Sequence, residues 1–436
     1  MKPEIALALI MKRWRDWQEV ARYQLPAQQE AERQNLLELF VLYQKMKKKK
    51  SQATQVQFAI EQPISQVEAQ EEKIRKGNDA LVVYSQPVDY EKYFEYIRMD
   101  VETYNELFKL VEPKIKKQFL IKYPIPAHTR LQICLRYLAS GDSMTSISSA
   151  FKVANNTVSK IVTDTCQAIW DVLSNLVFPT PSVDLWKERA HSFETQWDFT
   201  HCIGAIDSRQ LVLQTPVNTE SNYCKTNETI VLCAIIDANS CFSLINIDVE
   251  EVLEDGINFA ASETGCHLQD NTYDIPAPSK INETGPELPY VLAGNENFPL
   301  TVNLLRPYAA TSDLDLPKQV FNYRIGRARK CSDCAFRILT NQWRIFHKKF
   351  SNSASNTIKI TKAAICLHNF LMNKENSRPF QDRRYSLLSE SDREYNILGC
   401  TNVSISSEIP SENAETVRNM FKDLFCEDGA ILLEWE

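Results

Sequence analysis

The sequence predicts a mixed α/β domain preceded by an all-helical region. Before Pro179, apolar residues recur every three or four positions, which is the period of helices that pack on one side. After Pro179 the periodicity changes to that of strands, and two long helical patterns follow the strands. A run of strands followed by helices is typical of a mixed sheet with flanking helices.

The first 89 residues are predicted to be a helical extension and a linker. Residues 1–50 carry two helical patterns, and the second pattern ends in the lysine run 47–50. Such a run is typical of a solvated helix end, and the alternative is a nuclear import signal. Residues 51–78 are rich in Gln and Glu with little periodicity, so the segment 51–89 is assigned as a linker.

Residues 90–180 are predicted to form a helical domain of the helix-turn-helix kind. Asp100 is the expected N-cap of its first helix. Further helices are expected over residues 129–139, 144–151 and 156–173. The short connection before the last helix would let two helices cross and leave Asn155, Asn156 and Lys160 outward as candidate DNA contacts. A plain three-helix bundle shows the same pattern, and that alternative stays open.

Residues 195–372 are predicted to form the α/β domain, and residues 373–436 a C-terminal tail with a helix near 413–425. The first strand is expected to end in Asp207. Strands are expected over residues 202–206, 230–237, 241–249 and 290–293, and helices over 256–268, 319–346 and 357–370. Only a turn separates the second and third strands, so we expect them to pair antiparallel.

Composition excludes several functional classes. Only 10 of the 436 residues are glycine, and neither a G-x-G-x-x-G nor a G-x-x-x-x-G-K-S/T motif occurs, which argues against Rossmann and P-loop nucleotide sites. The net charge of −7 argues against a protein that coats nucleic acid through overall positive charge. No uncharged apolar run approaches about 18 residues, so we expect no membrane-spanning helix. The scattered cysteines favour reduced thiols in an intracellular protein.

Acidic residues in the α/β domain suggest one site. Asp207 ends the first strand, Glu254 and Asp255 follow the third, and Asp333 lies within the long helix. Carboxylates from strand ends and a helix suit a pair of Mg²⁺ ions that act on a phosphodiester, because Mg²⁺ prefers anionic oxygens. The alternative is structural, with Asp207 as a turn residue and Asp333 in salt bridges to arginines four positions away.

Positive charge is concentrated around Asp333. Residues 321–350 contain eight basic residues and this single acid, although the whole chain is acidic. Arg324, Arg327 and Lys330 are therefore candidate contacts for DNA phosphates. A solvated helix face is the alternative explanation for the same residues.

Several motifs follow one another in order along the chain. The longer ones are C-I-G-A-I-D at 202–207, Y-V-L-A-G-N-E-N-F-P-L at 290–300, L-R-P-Y at 305–308 and V-F-N-Y-R-I-G-R-A-R at 320–329. Shorter ones are A-F at 335–336, N-Q-W-R-I at 341–345 and L-H-N at 367–369. These collinear motifs resemble the PIF/Harbinger superfamily of DDE transposases and their domesticated nuclease relatives. Upstream, L-R-Y-L-A-S-G-D at 135–142 and T-C-Q-A-I-W at 165–170 resemble the family's helix-turn-helix region.

The resemblance implies a ribonuclease-H-like fold that binds a divalent cation, Mg²⁺ or Mn²⁺, and cuts DNA by activating water or a 3′-hydroxyl. Asp207 matches the family's first catalytic aspartate, and Asp255 matches an acidic position after the third strand. Asp333 stands where the family usually has glutamate, and Asn295 stands where it has aspartate. The resemblance also implies DNA as a partner, a nuclear location and a separate Myb/SANT-like partner protein.

The residue at position 295 separates two hypotheses. Asn295 keeps an amide oxygen that can ligate a metal, but it lacks the charge that offsets repulsion between two cations. The adjacent Glu296 is a further candidate ligand. One hypothesis is a metal-dependent DNA endonuclease. The other is a catalytically inactive domesticated transposase that acts as a DNA- or protein-binding factor.

Overall fold

A computed structural model describes most of the chain after residue 89. The described residues are 90–117, 124–214, 228–251, 258–281, 285–309, 314–379, 382–386, 399–402, 405 and 411–427. The chain divides into two compact units, 1–81 and 82–436, and every described residue lies in the second unit. The expected helices and linker of the first 89 residues lie outside the described residues.

Helices precede and follow a sheet in the described part of the chain. The first helices are α1 (Tyr90–Ile97), α2 (Val101–Ile115), α3 (Ala127–Ser140), α4 (Met144–Phe151), α5 (Asn155–Val177) and α6 (Val183–Trp197). The later helices are α7 (Glu263–Gln269), α8 (Leu316–Gln342), α9 (Ala354–Asn376) and α10 (Glu412–Glu427). The strands are β1 (Cys202–Leu211), β2 (Glu228–Ile236), β3 (Phe242–Glu251), β4 (Ser279–Lys280), β5 (Glu287–Leu288), β6 (Val291–Ala293), β7 (Leu304–Leu305) and β8 (Cys400–Asn402).

The helix α6 is not anticipated from the sequence, where the change to strand periodicity is placed directly after Pro179. Ser182 caps the helix by accepting a hydrogen bond from Leu185 N at 3.2 Å. Trp186, Ala190 and Phe193 form its buried face. A cap followed by apolar residues three or four positions apart is a helix signal, so the strands begin only with β1.

The main sheet is mixed. Its strand order is β3-β2-β1-β6-β7, and β8 also pairs with β1. The strands β1, β2 and β3 pair antiparallel, which confirms the expected hairpin of β2 and β3. On the other side of β1, β6 runs parallel to it, and β7 runs parallel to β6. The α/β class predicted from the sequence is therefore confirmed.

Helices cover this sheet and bury its apolar residues. Trp186 and Ala190 of α6 belong to one buried cluster with Ile206 of β1, Ile235 of β2 and Leu292 of β6. The helix α8 contacts β1, β2 and β6, and α9 contacts β3. Strands that are covered in this way need apolar residues at most positions, which explains the nearly continuous apolar sequence of β2.

The helices before the sheet contact the elements after it. The helix α5 packs along α9. Tyr137 OH of α3 donates to Asn352 Oδ1 at 2.9 Å, and Lys348 Nζ donates to Gly141 O at 3.2 Å. Gly141 ends α3 with a φ of 64°, and a Cβ there would lie 2.4 Å from Arg344 O, so only glycine fits. The domain boundary near residue 180 stays a prediction.

Two expectations from composition concern membranes and cysteines. None of the described helices is both long enough and apolar enough to cross a membrane. Every cysteine among the described residues is a free thiol, and the reduced state of the protein in its compartment stays a prediction. Cys134 of α3 and Cys166 of α5 have their Sγ atoms 3.5 Å apart inside the helical part, where both act as small buried side chains.

Asn369 of α9 joins three elements inside the core. Its side chain is almost fully buried, at 1% exposure. The Nδ2 donates to Phe242 O at 2.7 Å and to Val177 O at 3.3 Å, and the Oδ1 accepts from Phe242 N at 2.8 Å. The amide therefore satisfies the backbone at the start of β3 and ties it to the end of α5.

Asn369→Ala should lower the free energy of unfolding by about 3 kcal/mol, because it leaves buried backbone groups of Phe242 and Val177 without partners. Asn373→Ala, at an exposed position of the same helix, is the matched control and should change it by less than about 0.5 kcal/mol. Urea unfolding followed by circular dichroism measures both variants. Equal losses in the two variants would contradict the bridging role of Asn369.

His368 should make the stability of the protein depend on pH. Burial lowers its pKa from 6.5 to about 4, although its Nε2 donates to Ser240 O at 2.9 Å. The unfolded chain therefore binds the proton first, and stability should fall as the pH falls from about 6.5 to about 4. Between about pH 7 and 5, the wild type should lose about 2 kcal/mol more than His368→Gln in urea unfolding. An identical loss in both proteins would rule out this contribution.

Candidate functional site

Asp207 lies in the middle of β1, where one edge of this strand changes partner. On one side β1 pairs with β2, and Asp207 is opposite Ala234. On the other side β1 pairs with β6 as far as Ala205 and with β8 from Arg209 onward. Asp207 therefore lies at the point along this edge of β1 where pairing with β6 has ended and pairing with β8 has not yet begun.

Arg209 connects two of the acidic residues that the sequence indicates, Asp207 and Asp333. Strand alternation places Asp207 and Arg209 on one face of β1. Arg209 Nη2 lies 2.6 Å from Asp207 Oδ2 and 3.7 Å from Oδ1 of Asp333, which belongs to α8. The structure thus brings Asp207 and Asp333 to one place, with a guanidinium group between them.

The three side chains of this cluster lie at different depths. The side chain of Asp207 is 4% exposed, that of Arg209 is 18% exposed and that of Asp333 is 63% exposed. The guanidinium of Arg209 also lies over the ring of Phe336 on α8, 4.9 Å from the ring centre. The carboxylate of Asp207 is therefore covered by the guanidinium, which Asp333 contacts from the solvent side.

The carboxyl group of Asp207 is buried and lies near two positively charged side chains. Burial raises the pKa of its carboxyl group, and the guanidinium groups of Arg209 and Arg329 act in the opposite direction. Its Oδ1 also accepts a hydrogen bond from Ser208 N at 2.9 Å. The nearby charge of Asp333 raises the pKa of Asp207 further. Two arginines and one backbone donor thus offset part of the cost of burying this carboxylate, and burial remains the larger effect on its pKa.

Asn295 lies in the turn that follows β6. Ala205 of β1 pairs with Ala293 of β6 in parallel, and Asp207 and Asn295 each lie two residues beyond that pair. The side chain of Asn295 is half-buried, and its Oδ1 accepts a hydrogen bond from Asn297 N at 2.9 Å. The amide group of Asn295 therefore shapes the turn that follows β6.

The described residues fit a divalent metal ion poorly. Within the ranges that the structure describes, no three Asp, Glu, His or Cys side chains stand close enough to hold one ion. Asp207 and Asp333 share a guanidinium, Asn295 is neutral, and Glu296 is exposed. Asp255 lies in the segment 252–257, outside the described residues. Positive charge between the two carboxylates is already supplied by Arg209.

Two cations of α8 that are candidate DNA contacts also hold this helix to the end of α6. Arg324 is 8% exposed, and its Nη1 donates to Asp198 O at 2.9 Å. Arg327 forms an ion pair with the carboxylate of Asp198. Arg324 is therefore buried and the charge of Arg327 is paired within the fold, and the expected phosphate contacts of both stay predictions. Lys330 is exposed, and its contact with DNA stays a prediction.

The candidate DNA contacts of the helical part lie at the start of α5. Only residues 152–154 separate α4 from α5. Val158 of α5 is buried, whereas Asn155, Asn156 and Lys160 are exposed. In a helix-turn-helix the second helix presents its N-terminal residues in this manner. DNA binding by these three side chains stays a prediction.

Arg209 is the member of the site that sequence reasoning missed. A signal for it was present, since it lies two positions after Asp207 in an expected strand and must share a face with it. The sequence does not show, however, that α8 would cover this face and bring Asp333 to the same guanidinium. That contact joins residues 209 and 333, which are far apart in the chain.

Comparison with known proteins gives the family of the domain. Residues 206–369 match the model of a family described as DDE superfamily endonuclease. The chain is 25% identical over 317 residues to a protein from Arabidopsis thaliana named ALP1-like, a match that covers 70% of this chain and 72% of the relative. It is 27% identical over 231 residues to Antagonist of like heterochromatin protein 1 from the same plant, covering 50% of this chain and 55% of the relative. No solved structure matches the chain.

The matched segment contains the acidic centre described above. Asp207, Asn295 and Asp333 all lie within it, together with the motifs at 290–300, 305–308, 320–329, 335–336, 341–345 and 367–369. The resemblance to PIF/Harbinger DDE transposases and their domesticated relatives is confirmed by the family match and by the two plant proteins. The chain therefore carries a DDE superfamily endonuclease domain over residues 206–369.

Proposed function

We propose that this chain is a domesticated, transposase-derived nuclear protein that binds DNA and does not cut it. The observation that carries the proposal is the amide at position 295, which comes two residues after the last pair of β6 with β1, as Asp207 does in β1. Two divalent cations at a phosphodiester need several carboxylates around them, because negative charge offsets the repulsion between the ions. An amide that accepts a hydrogen bond from its own loop supplies no such charge.

Metal-dependent cleavage of DNA is the second candidate function. It is favoured by the approach of Asp207 and Asp333 to a common position within a segment that matches the DDE superfamily endonucleases. In that case Asp207 and Asp333, with Asp255 and the weaker ligand Asn295, would hold Mg²⁺ or Mn²⁺. Arg209 would then have to leave the position between the two carboxylates.

The DNA-binding part of the proposal is supported by exposed polar side chains on two helices. Asn155, Asn156 and Lys160 lie at the start of α5, and Lys330 lies on α8. Amide side chains can read base edges, and lysines can contact phosphates. Since the whole chain has a net charge of −7, binding would depend on such local groups rather than on overall attraction.

A protein partner is also part of the proposal. One relative is named Antagonist of like heterochromatin protein 1, and this name describes an effect on a second protein. For this chain we propose a Myb/SANT-like partner that adds DNA contacts and assists entry into the nucleus. Such a partner would compensate for arginines of α8 that are used inside the fold, among them Arg324.

Wild-type protein should leave supercoiled plasmid as intact as Asp207→Ala does, in Mg²⁺ or in Mn²⁺. The reason is the missing carboxylate at position 295, and gel electrophoresis of the nicked and linear forms measures the outcome. Asn295→Asp tests that position directly, since nicking by this variant alone would identify the substitution that removed cleavage. Nicking by the wild type that Asp207→Ala abolishes would contradict the proposal and establish the second candidate function.

Lys160→Ala should weaken binding to a mixed-sequence DNA duplex and reduce the slope of log affinity against log salt by about one, because one phosphate contact is lost. Fluorescence anisotropy between about 50 and 200 mM salt measures both quantities. Lys318→Ala is the control, since this lysine of α8 pairs with Asp315 at 3.2 Å. If Lys160→Ala and Lys318→Ala both match the wild type, DNA does not contact the start of α5 through Lys160.

A further inference from the structure

Arg209 occupies the place between two carboxylates where a nuclease of this kind would hold a cation. We propose that Arg209 is a built-in cation, which replaces a divalent metal ion between Asp207 and Asp333 and leaves the site unable to take one up. The inference rests on the proposed function and deepens it, because the same carboxylates would hold the metal in an enzyme that cuts. It concerns cation binding, which can be measured without DNA.

The guanidinium occupies the position between the two carboxylates that a shared metal ion would need. A single nitrogen, Arg209 Nη2, lies 2.6 Å from Asp207 Oδ2 and 3.7 Å from Asp333 Oδ1. A bound Mg²⁺ ion needs oxygen ligands at about 2.1 Å and keeps several waters around it. Because the guanidinium already lies against the inner carboxylate, an ion could bind both acids only if Arg209 moved away.

The fold holds Arg209 in this position. Its backbone pairs with Leu232 of β2 on one side and with Asn402 of β8 on the other. Its guanidinium lies over the ring of Phe336, and most of the side chain is buried. A residue whose strand is paired on both edges and whose side chain packs on a helix has few other orientations, so Arg209 is a fixed part of the site.

The negative charges of Asp207 and Asp333 are matched by the positive charges of two arginines, without a metal ion. Arg209 and Arg329 both act on the carboxylate of Asp207, and each carries one positive charge. Together they bring the two charges that a divalent ion would bring. They also repel an incoming divalent cation, most strongly near the buried carboxylate, where water screens least.

Calorimetric titration of the full chain with MnCl₂, together with thermal unfolding at rising Mn²⁺, tests this inference. Wild type and Arg209→Lys should bind Mn²⁺ no more tightly than Asp207→Asn does, and their Tm should not change. Arg209→Gln keeps a hydrogen-bond donor but removes the charge. It should bind Mn²⁺ at least about tenfold more tightly than the wild type, and its Tm should rise with Mn²⁺.

Two controls locate the effect. Arg327→Gln removes an ion-paired arginine of α8 that contacts Asp198, outside the cluster, and should behave as the wild type does. The gain in Mn²⁺ binding by Arg209→Gln should disappear in the double variant Arg209→Gln/Asp207→Asn. A gain that persists in the double variant would place the ion elsewhere and overturn the inference.

The wild-type measurement decides the question even where Arg209→Gln does not fold. Mn²⁺ binding by the wild type that Asp207→Asn removes would overturn the inference, and equally weak binding by both proteins would support it. A folded Arg209→Gln that binds no more tightly than the wild type would also overturn it. Wild-type Mn²⁺ binding without nicking overturns only this inference, whereas nicking by the wild type overturns the proposed function.

Discussion

The buried carboxylate of Asp207 is the constraint on which the rest of the site depends. An acid this deep in a sheet is stable only beside positive charge and hydrogen-bond donors. The strand β1 provides both, through Ser208 N and the guanidinium of Arg209. The helix α8 completes the arrangement, with Phe336 packed against the guanidinium and Asp333 beside it. The packing of α8 on β1 and the balance of charge are therefore two aspects of one contact.

Basic residues of α8 serve different purposes because a helix points them in different directions. Arg324 and Arg327 lie close together along the helix and hold the end of α6 through Asp198. Arg329 acts on the carboxylate of Asp207. Lys330 is exposed. The basic residues of this one segment therefore have three different surroundings. Two contact Asp198, one acts on the acidic centre and one is exposed to solvent.

The domain can keep its architecture while its chemistry changes, because different residues hold the shape and the site. The covered sheet is held by the apolar cluster of α6 with β1, β2 and β6, and by the amide of Asn369. None of these side chains is a carboxylate or a guanidinium. An amide at position 295 and a guanidinium at position 209 therefore alter the site without loss of the fold that the DDE superfamily endonuclease match identifies.

The α/β class, the β2–β3 hairpin, the long helix that carries Asp333 and the order of the family motifs could all be predicted from the sequence. The reason is that hydrophobic periodicity, helix caps and turns are properties of neighbouring residues. Sequence reasoning did not anticipate β7 or β8, which are two and three residues long and have no period of their own. It also did not reveal that Arg324 is buried or that Arg209 lies between Asp207 and Asp333. Only the tertiary structure decides such features, because depth and ion pairing depend on which distant segments pack together.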